Sequence, residues 1–329
     1  MTLRWDRRAR RTSPRGGGAS GGGAPRDGSA EDTRVAGAVG YHPIARGASL
    51  SQRPPVAGIT LLPADERTGH RRIARHRSVR SQQKPTLYRH PRGSWLTTVT
   101  GVDGCKIGWV AAAHSLHSDS CSVEVFPTFA HLLASSAASR VIAVDIPIGL
   151  SDAAPRPTDL AARRFLGPRG SSVFPAPCRA SLEGASYESA SKLSFAASGK
   201  KLTKQTYAII PKIREVDIAL RADASARERV VEVHPEVCFA ALNGDQPMAH
   251  PKKRFAGKQE RFALLPTQYQ AAFAASRPQW LHKEVATDDI LDALVALWTA
   301  VRVLSGSARS FPPLPLIHDS VGLPMRILA

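Results

Sequence analysis

Apolar and polar positions fall into a regular rhythm only after residue 95. Residues 97–104 (TTVTGVDG) alternate and read as a strand, and 108–114 (GWVAAAH) as its hairpin partner across a glycine-containing turn. Residues 121–126 (CSVEVF) alternate again and give a third strand. A short helix over 128–138 then crosses to 141–146 (VIAVDI), an unbroken apolar run of the buried-strand type. Three strands in a meander, a crossover helix and a fourth strand predict a mixed sheet in an α/β fold. Residues 229–234 (RVVEVH) supply a fifth strand, closed by Pro235. Helical spacing marks 158–166, with Arg163 and Arg164 on its exposed side, and then 186–197, 203–222, 236–243, 266–275 and 288–304. Pro211 is expected to break or kink the helix over 203–222. The stretch GPRGSSVFPAPCR is too rich in Gly, Pro and Ser to be regular, KKRFAGKQERFALL is basic and amphipathic, and 311–329 is a proline-rich tail with a short terminal strand.

Residues 1–95 lack this rhythm. They hold GGGASGGGAP, RRARR and HRRIARHRSVR, and cannot offset their chain entropy by forming a core. The expected organisation is a disordered Arg/Gly/Pro-rich extension over 1–95 and one domain over 96–329. Charge sharpens this division. Of the net +18, roughly +13 lies in 1–95 (about 19 Lys/Arg against 6 Asp/Glu) and about +5 in the rest (26 against 21). The extension reads as a basic arm for nucleic acid, as a non-functional extension from an upstream start, or as an Arg-rich presequence; Asp6, Asp27, Glu31 and Asp32 weigh against the last. Cys105, Cys121, Cys178 and Cys238 are far apart with no CxxC pair, which argues against structural zinc and a disulfide framework. No apolar run reaches membrane-spanning length, so a soluble cytoplasmic protein with no membrane partner is expected.

The candidate chemistry lies in aspartates that end or open core-forming runs, where an unpaired charge is costly. The two-residue period of a strand puts Val99, Gly101 and Asp103 on one face, and likewise Val141, Ala143 and Asp145. At about 100° per residue, Asp289, Asp292, Ala293, Ala296 and Ala300 share one stripe of the last helix. An alanine stripe permits close approach to a sheet and would carry Asp289 and Asp292 towards the strand carboxylates. Asp288 reads as a helix cap, and Asp103 has a competing reading as a turn residue before Gly104. Four clustered carboxylates call for cations, and Mg²⁺ or Mn²⁺ is the expected cofactor, held by Asp103, Asp145, Asp289 and Asp292 for phosphoryl displacement. Lys212, Lys252, Lys253, Lys258 and Arg261 are candidates to hold a phosphate backbone. Glu232, His234 and Glu236 are candidate supporting residues. His234-Pro-Glu236 lacks the downstream cysteine pair of zinc deaminases, GVDGCKIG is neither a Walker A loop nor a dinucleotide fingerprint, and SSVFP lacks the G-x-S-x-G elbow.

GVDGCKIGWV, VDIPIGL, AARRFLGPRGSSVFPAP, PKIREVD, VVEVHPEVCFAALNG, KKRFAGKQER, DDILDALVALWTA and GLPMRI, in this order, together resemble the DUF429 family over about residues 97–329. The resemblance implies an RNase H-like mixed five-stranded sheet flanked by helices, with a predicted nuclease activity. Its late-helix D-x-x-D-A is similar to the RuvC-type resolvase pattern. It implies Asp103 as the first-strand ligand, Asp145 as the fourth-strand ligand and Asp289 with Asp292 as the helix pair. Arg326 in GLPMRI stands where the resemblance leads one to expect an acid. The resulting expectation is a metal-dependent nuclease or phosphodiesterase. A nucleotide-dependent phosphotransferase of the actin-like or sugar-kinase type and a non-catalytic nucleic-acid binder are the alternatives.

Overall fold

A computed structural model describes residues 97–153 and 155–329; the expectations placed on 1–95 lie outside the described residues. The sheet begins with β1 (Thr98–Cys105), β2 (Gly108–Ser115) and β3 (Ser120–Phe126), an antiparallel meander. Helix α1 (Phe129–Ser135), capped by Thr128, crosses to β4 (Ser139–Val144), which pairs parallel with β1. Strand β5 (Val230–Glu232) pairs parallel with β4, giving the mixed five-stranded order β3-β2-β1-β4-β5. Between β4 and β5 run α2 (Pro157–Leu166), α3 (Tyr187–Ser198), α4 (Lys204–Ala222) and α5 (Ala224–Arg229). After β5 come α6 (Pro235–Leu242), α7 (Phe255–Leu264), α8 (Thr267–Ser276) and α9 (Thr287–Leu304). A two-stranded ribbon of β6 (Ser310–Phe311) and β7 (Ile327–Leu328) ends the chain. None of the described helices is long and apolar enough to cross a membrane.

The strand pleat divides the core. Val102, Ile142 and Val144 join Trp109, Phe129, Leu132, Ile210, Ile213 and Leu220 on the side of α1 and α4. The opposite face receives α9, which packs across β1, β4 and β2. Gly101 is what allows that contact. A Cβ there would lie 1.9 Å from the Leu297 backbone nitrogen and 2.3 Å from the Ala293 carbonyl oxygen. Ala293, Ala296 and Ala300 are fully buried on the same helix, so the expected alanine stripe is a packing surface.

Several boundaries differ from expectation. The β4 ladder ends at Val144, which leaves Asp145 just past it with its N–H donated to the Val102 carbonyl (2.9 Å). Helix α4 continues through Pro211, because that residue is exposed while Ile210, Ile213, Val216 and Leu220 stay buried and hold the helix to the sheet. The Gly/Pro/Ser stretch opens with a short 3-10 turn, Gly167–Ser172, and a second, Arg179–Glu183, begins at its last residue. Arg163 is not freely exposed: its Nε donates to the Val173 carbonyl at 2.8 Å and ties α2 to this stretch.

Candidate metal centre

Three elements bring three aspartates together. Asp103 ends β1 on the Gly101 face, Asp145 follows β4, and Asp292 lies one turn into α9 on the alanine stripe. The backbone bond from Asp145 to Val102 sets the first two side by side, and the Gly101 contact draws the helix onto them. One carboxylate oxygen from each of Asp103, Asp145 and Asp292 lies within 4.8 Å of the others. Asp103 and Asp292 are buried, at 9% and 1% exposure. Asp103 Oδ1 accepts the Gly104 N–H at 2.7 Å, which orients its carboxylate within the turn. Beneath that turn Lys212 donates to the Gly108 carbonyl at 2.5 Å and lies 4.4 Å from the Trp109 ring centre.

Burial dominates the electrostatics. It pushes the Asp145 carboxyl up to about 8; Lys252 opposes the shift, while Asp292, Glu232 and Glu236 add to it. Asp103 is raised well above the usual carboxylate range by burial, then by Asp145 and Asp292. Asp292 is raised by burial against the pull of Lys252, whose Nζ donates to Asp292 Oδ2 at 2.6 Å. The Asp292 carboxylate in turn raises the Lys252 ammonium and keeps it charged. The second oxygen, Asp292 Oδ1, is buried with no hydrogen-bond partner. That oxygen is a vacant acceptor, and a set of hard carboxylate oxygens suits Mg²⁺ or Mn²⁺.

Asp289 stands apart from the three. Its Oδ2 accepts the Ala286 N–H at 2.8 Å, satisfying a free donor at the start of α9. Burial pushes its carboxyl up to about 6, and that backbone bond pulls the other way. The helix begins a residue earlier than the sequence suggests, at Thr287 with Ala286 as cap, so the capping role falls to Asp289 rather than Asp288. Asp288 instead lies 3.7 Å from Lys258 Nζ.

The supporting residues have separate duties. Glu232 accepts from the Ile148 N–H (2.7 Å) and from both terminal nitrogens of Arg156 (2.9 and 2.7 Å). Arg156 also donates to the Ile148 and Gly149 carbonyls and to Asp159 (3.0, 3.1 and 2.6 Å). This buried clamp fixes the loop that follows Asp145, and within it burial pushes Glu232 up to about 7 against the pull of Arg156. His234 caps no N–H with its side chain; burial and Lys252 push it down to about 4, so it is neutral at physiological pH. Glu236 pairs with Arg261 at 2.6 Å, and its other oxygen lies 3.8 Å from Arg169 Nη2.

The basic residues expected to meet a phosphate backbone divide accordingly. Arg261 is 1% exposed and spends its guanidinium on Glu236 and on the His250 and Gly257 carbonyls, so it does not face solvent. Lys212 braces the β1–β2 turn, Lys252 holds Asp292, and Lys253 is exposed. Arg156, Asp159 and Arg169 carry no sequence signal that separates them from surface charges. Only the RPTD start of α2, with proline at the first helical position, marks where the clamp begins.

A family model described as "Protein of unknown function (DUF429)" matches residues 101–316. That span contains every carboxylate of the centre, the clamp and Lys252. No curated protein and no solved structure matches the chain.

Proposed function

The chain belongs to the DUF429 family, and we propose that it is a metal-dependent phosphodiesterase that cleaves nucleic acid at the Asp103–Asp145–Asp292 centre. The observation that carries the reading is the mutual approach of three carboxylate oxygens within 4.8 Å on three different elements. Carboxylates that serve only packing or capping are not gathered in this way, because each raises the cost of ionising the others. The donor set is all oxygen, and Asp292 Oδ1, buried without a hydrogen-bond partner, leaves that carboxylate with an acceptor to offer a cation. Asp103, Asp145 and Asp292 would hold Mg²⁺ or Mn²⁺. A bound ion would supply Lewis-acid polarisation of a phosphoryl oxygen and a water acidic enough to act as nucleophile near neutral pH. The sheet order, with acids on the first strand, just past the fourth and on the late helix, is consistent with the RNase H-like reading.

The chain's own residues supply the rest. Asp103 is oriented by Gly104, Asp145 by its backbone bond to Val102 and by the Arg156 clamp, and Asp292 by the rigid approach of α9. Exposed Lys253, next to Lys252 in the chain, and partly exposed Arg169, near Glu236, would be available to phosphate oxygens, and the strongly basic 1–95 segment would add affinity that falls with salt.

The test is cleavage of single- and double-stranded DNA and RNA by purified protein with Mg²⁺ or Mn²⁺. Activity should vanish with chelator and in Asp103→Asn, with at least a hundredfold loss, on the order of removing a stabilised charge from a transition state. Cleavage unchanged in Asp103→Asn would overturn the assignment. Stabilisation by ATP with no cleavage would move the reading to a phosphotransferase.

A further inference from the structure

Lys252 brings a positive charge of the chain's own into direct contact with the Asp103–Asp145–Asp292 centre. Its ammonium is in contact with Asp292 Oδ2, while Asp292 Oδ1 is buried and has no partner. One carboxylate is therefore divided between a cation already present and a free ligand atom. The charge of Lys252 also acts on Asp103 and Asp145.

The segment that bears Lys252 is held in place rather than free to swing. Glu260 accepts the N–H groups of Ala249 and His250 at 2.7 and 3.0 Å. Arg261 grips the His250 carbonyl at 3.0 Å, and the Arg254 N–H closes back on the Pro251 carbonyl at 2.9 Å. Gly257 lets α7 lie against this turn: a Cβ there would sit 2.1 Å from the Pro251 carbonyl oxygen. Backbone before Lys252 is thus fixed by Glu260 and Arg261 of α7, the turn that carries it closes on Pro251, and the same Arg261 holds Glu236.

Charge balance points the same way. Asp103, Asp145 and Asp292 carry three negative charges when ionised. One divalent ion and one ammonium neutralise them. Two divalent ions beside the same lysine would leave a surplus of two positive charges over these three carboxylates, and nearby Asp289 offsets only one of them. Neighbouring Glu236 does not alter this sum, since Arg261 pairs with it.

We propose that the centre binds a single divalent ion, with the Lys252 ammonium as a fixed second cation bound to Asp292. This rests on the metal-dependent reading above but concerns how many ions the centre takes.

Mn²⁺ titration of the full chain, followed by calorimetry and electron paramagnetic resonance, tests it. Sites that persist in Asp145→Asn are subtracted as unrelated to the centre. The wild-type protein should bind one Mn²⁺ with no spin-coupled pair, and Lys252→Arg should do the same. Lys252→Met should bind its first ion on the order of tenfold more tightly, because a nearby like charge is gone, and should admit a second ion with a coupled signal. A coupled pair in the wild-type protein overturns the proposal while leaving the metal-dependent reading intact. A folded Lys252→Met that stays at one ion overturns it as well. Should Lys252→Met not fold, the wild-type and Lys252→Arg spectra decide. No Mn²⁺ at the centre would overturn both, whereas one ion without phosphodiester cleavage would leave this proposal standing and remove the activity.

Discussion

Asp145→Asn should change the protein's response to both pH and metal, and the size of the change follows from where the carboxylate sits. In the unfolded chain this group loses its proton near 3.8; in the fold, burial beside Asp292, Glu232 and Glu236 holds it until about 8. Between those values the folded state binds more protons than the unfolded one. Metal-free stability therefore falls as pH rises from about 4 to about 8 and levels off above it. The shift is about 4 units at roughly 1.4 kcal/mol each, so the ionised carboxylate costs the fold on the order of 5 kcal/mol above pH 8. Asparagine keeps the shape and carries no proton to lose. With chelator present at pH 8.5, the variant should melt about 10–20 °C above the wild type, given roughly 2–4 °C per kcal/mol for a domain of this size. At pH 4.5 the two should melt within a few degrees of each other. Mn²⁺ at about 100 times its Kd should roughly halve that gap, because it stabilises the wild type by about 2.7 kcal/mol and the variant has lost a ligand. Thermal melts across pH, with and without Mn²⁺, measure all of this. Parallel pH curves for the two proteins in chelator would refute the reasoning, since Asp145 would then not be the group whose ionisation strains the site.

Gly101→Ala should lower stability by about 3 kcal/mol and weaken Mn²⁺ binding together, because the new methyl pushes α9 and its Asp292 off the sheet; urea unfolding and Mn²⁺ titration read the two effects. Asp289→Ala should cost about 1 kcal/mol through the lost cap at Ala286 and leave the number of bound Mn²⁺ ions unchanged. Arg156→Met should cost about 3–5 kcal/mol, since it strands Glu232 and Asp159 as buried unpaired carboxylates, and adding Glu232→Gln should recover part of that loss in the same unfolding assay.

The parts of this site that were legible in the sequence are those written in local periodicity. Alternation in TTVTGVDG gave Gly101 and Asp103 a common face, and the i, i+3, i+4 spacing gave Asp292 and Ala296 a common stripe. What periodicity could not resolve was the difference between Asp289 and Asp292. They share the stripe, yet one turn of helix separates a group within reach of free backbone N–H donors from a group beyond them. The helix start, shifted by one residue, decides which is which. Arg261 and Lys252 were equally opaque, because both come from a basic amphipathic segment whose composition suggests solvent. Burial of Arg261 against Glu236 depends on α6 and α7 meeting, a contact between elements that no local pattern encodes. The clamp of Arg156 on Glu232 joins positions 76 apart in sequence for the same reason.

The helix contact and the charge cluster have one cause. Gly101 and the buried alanines let α9 approach the sheet closely, and that approach excludes water from Asp292 and brings it to Asp103 and Asp145. Close packing would ordinarily favour an apolar residue at each of those three positions, since every carboxylate there is raised by burial. The surrounding chain compensates only in part: Lys252 answers one oxygen, Gly104 another, and the Arg156 clamp serves the loop rather than the carboxylates. Stability alone would select a fuller pairing or none. A rigid scaffold that holds three acids under incomplete neutralisation would offer the proposed divalent ion a preformed site, the conformational cost of assembling the ligands having been met by packing elsewhere in the fold.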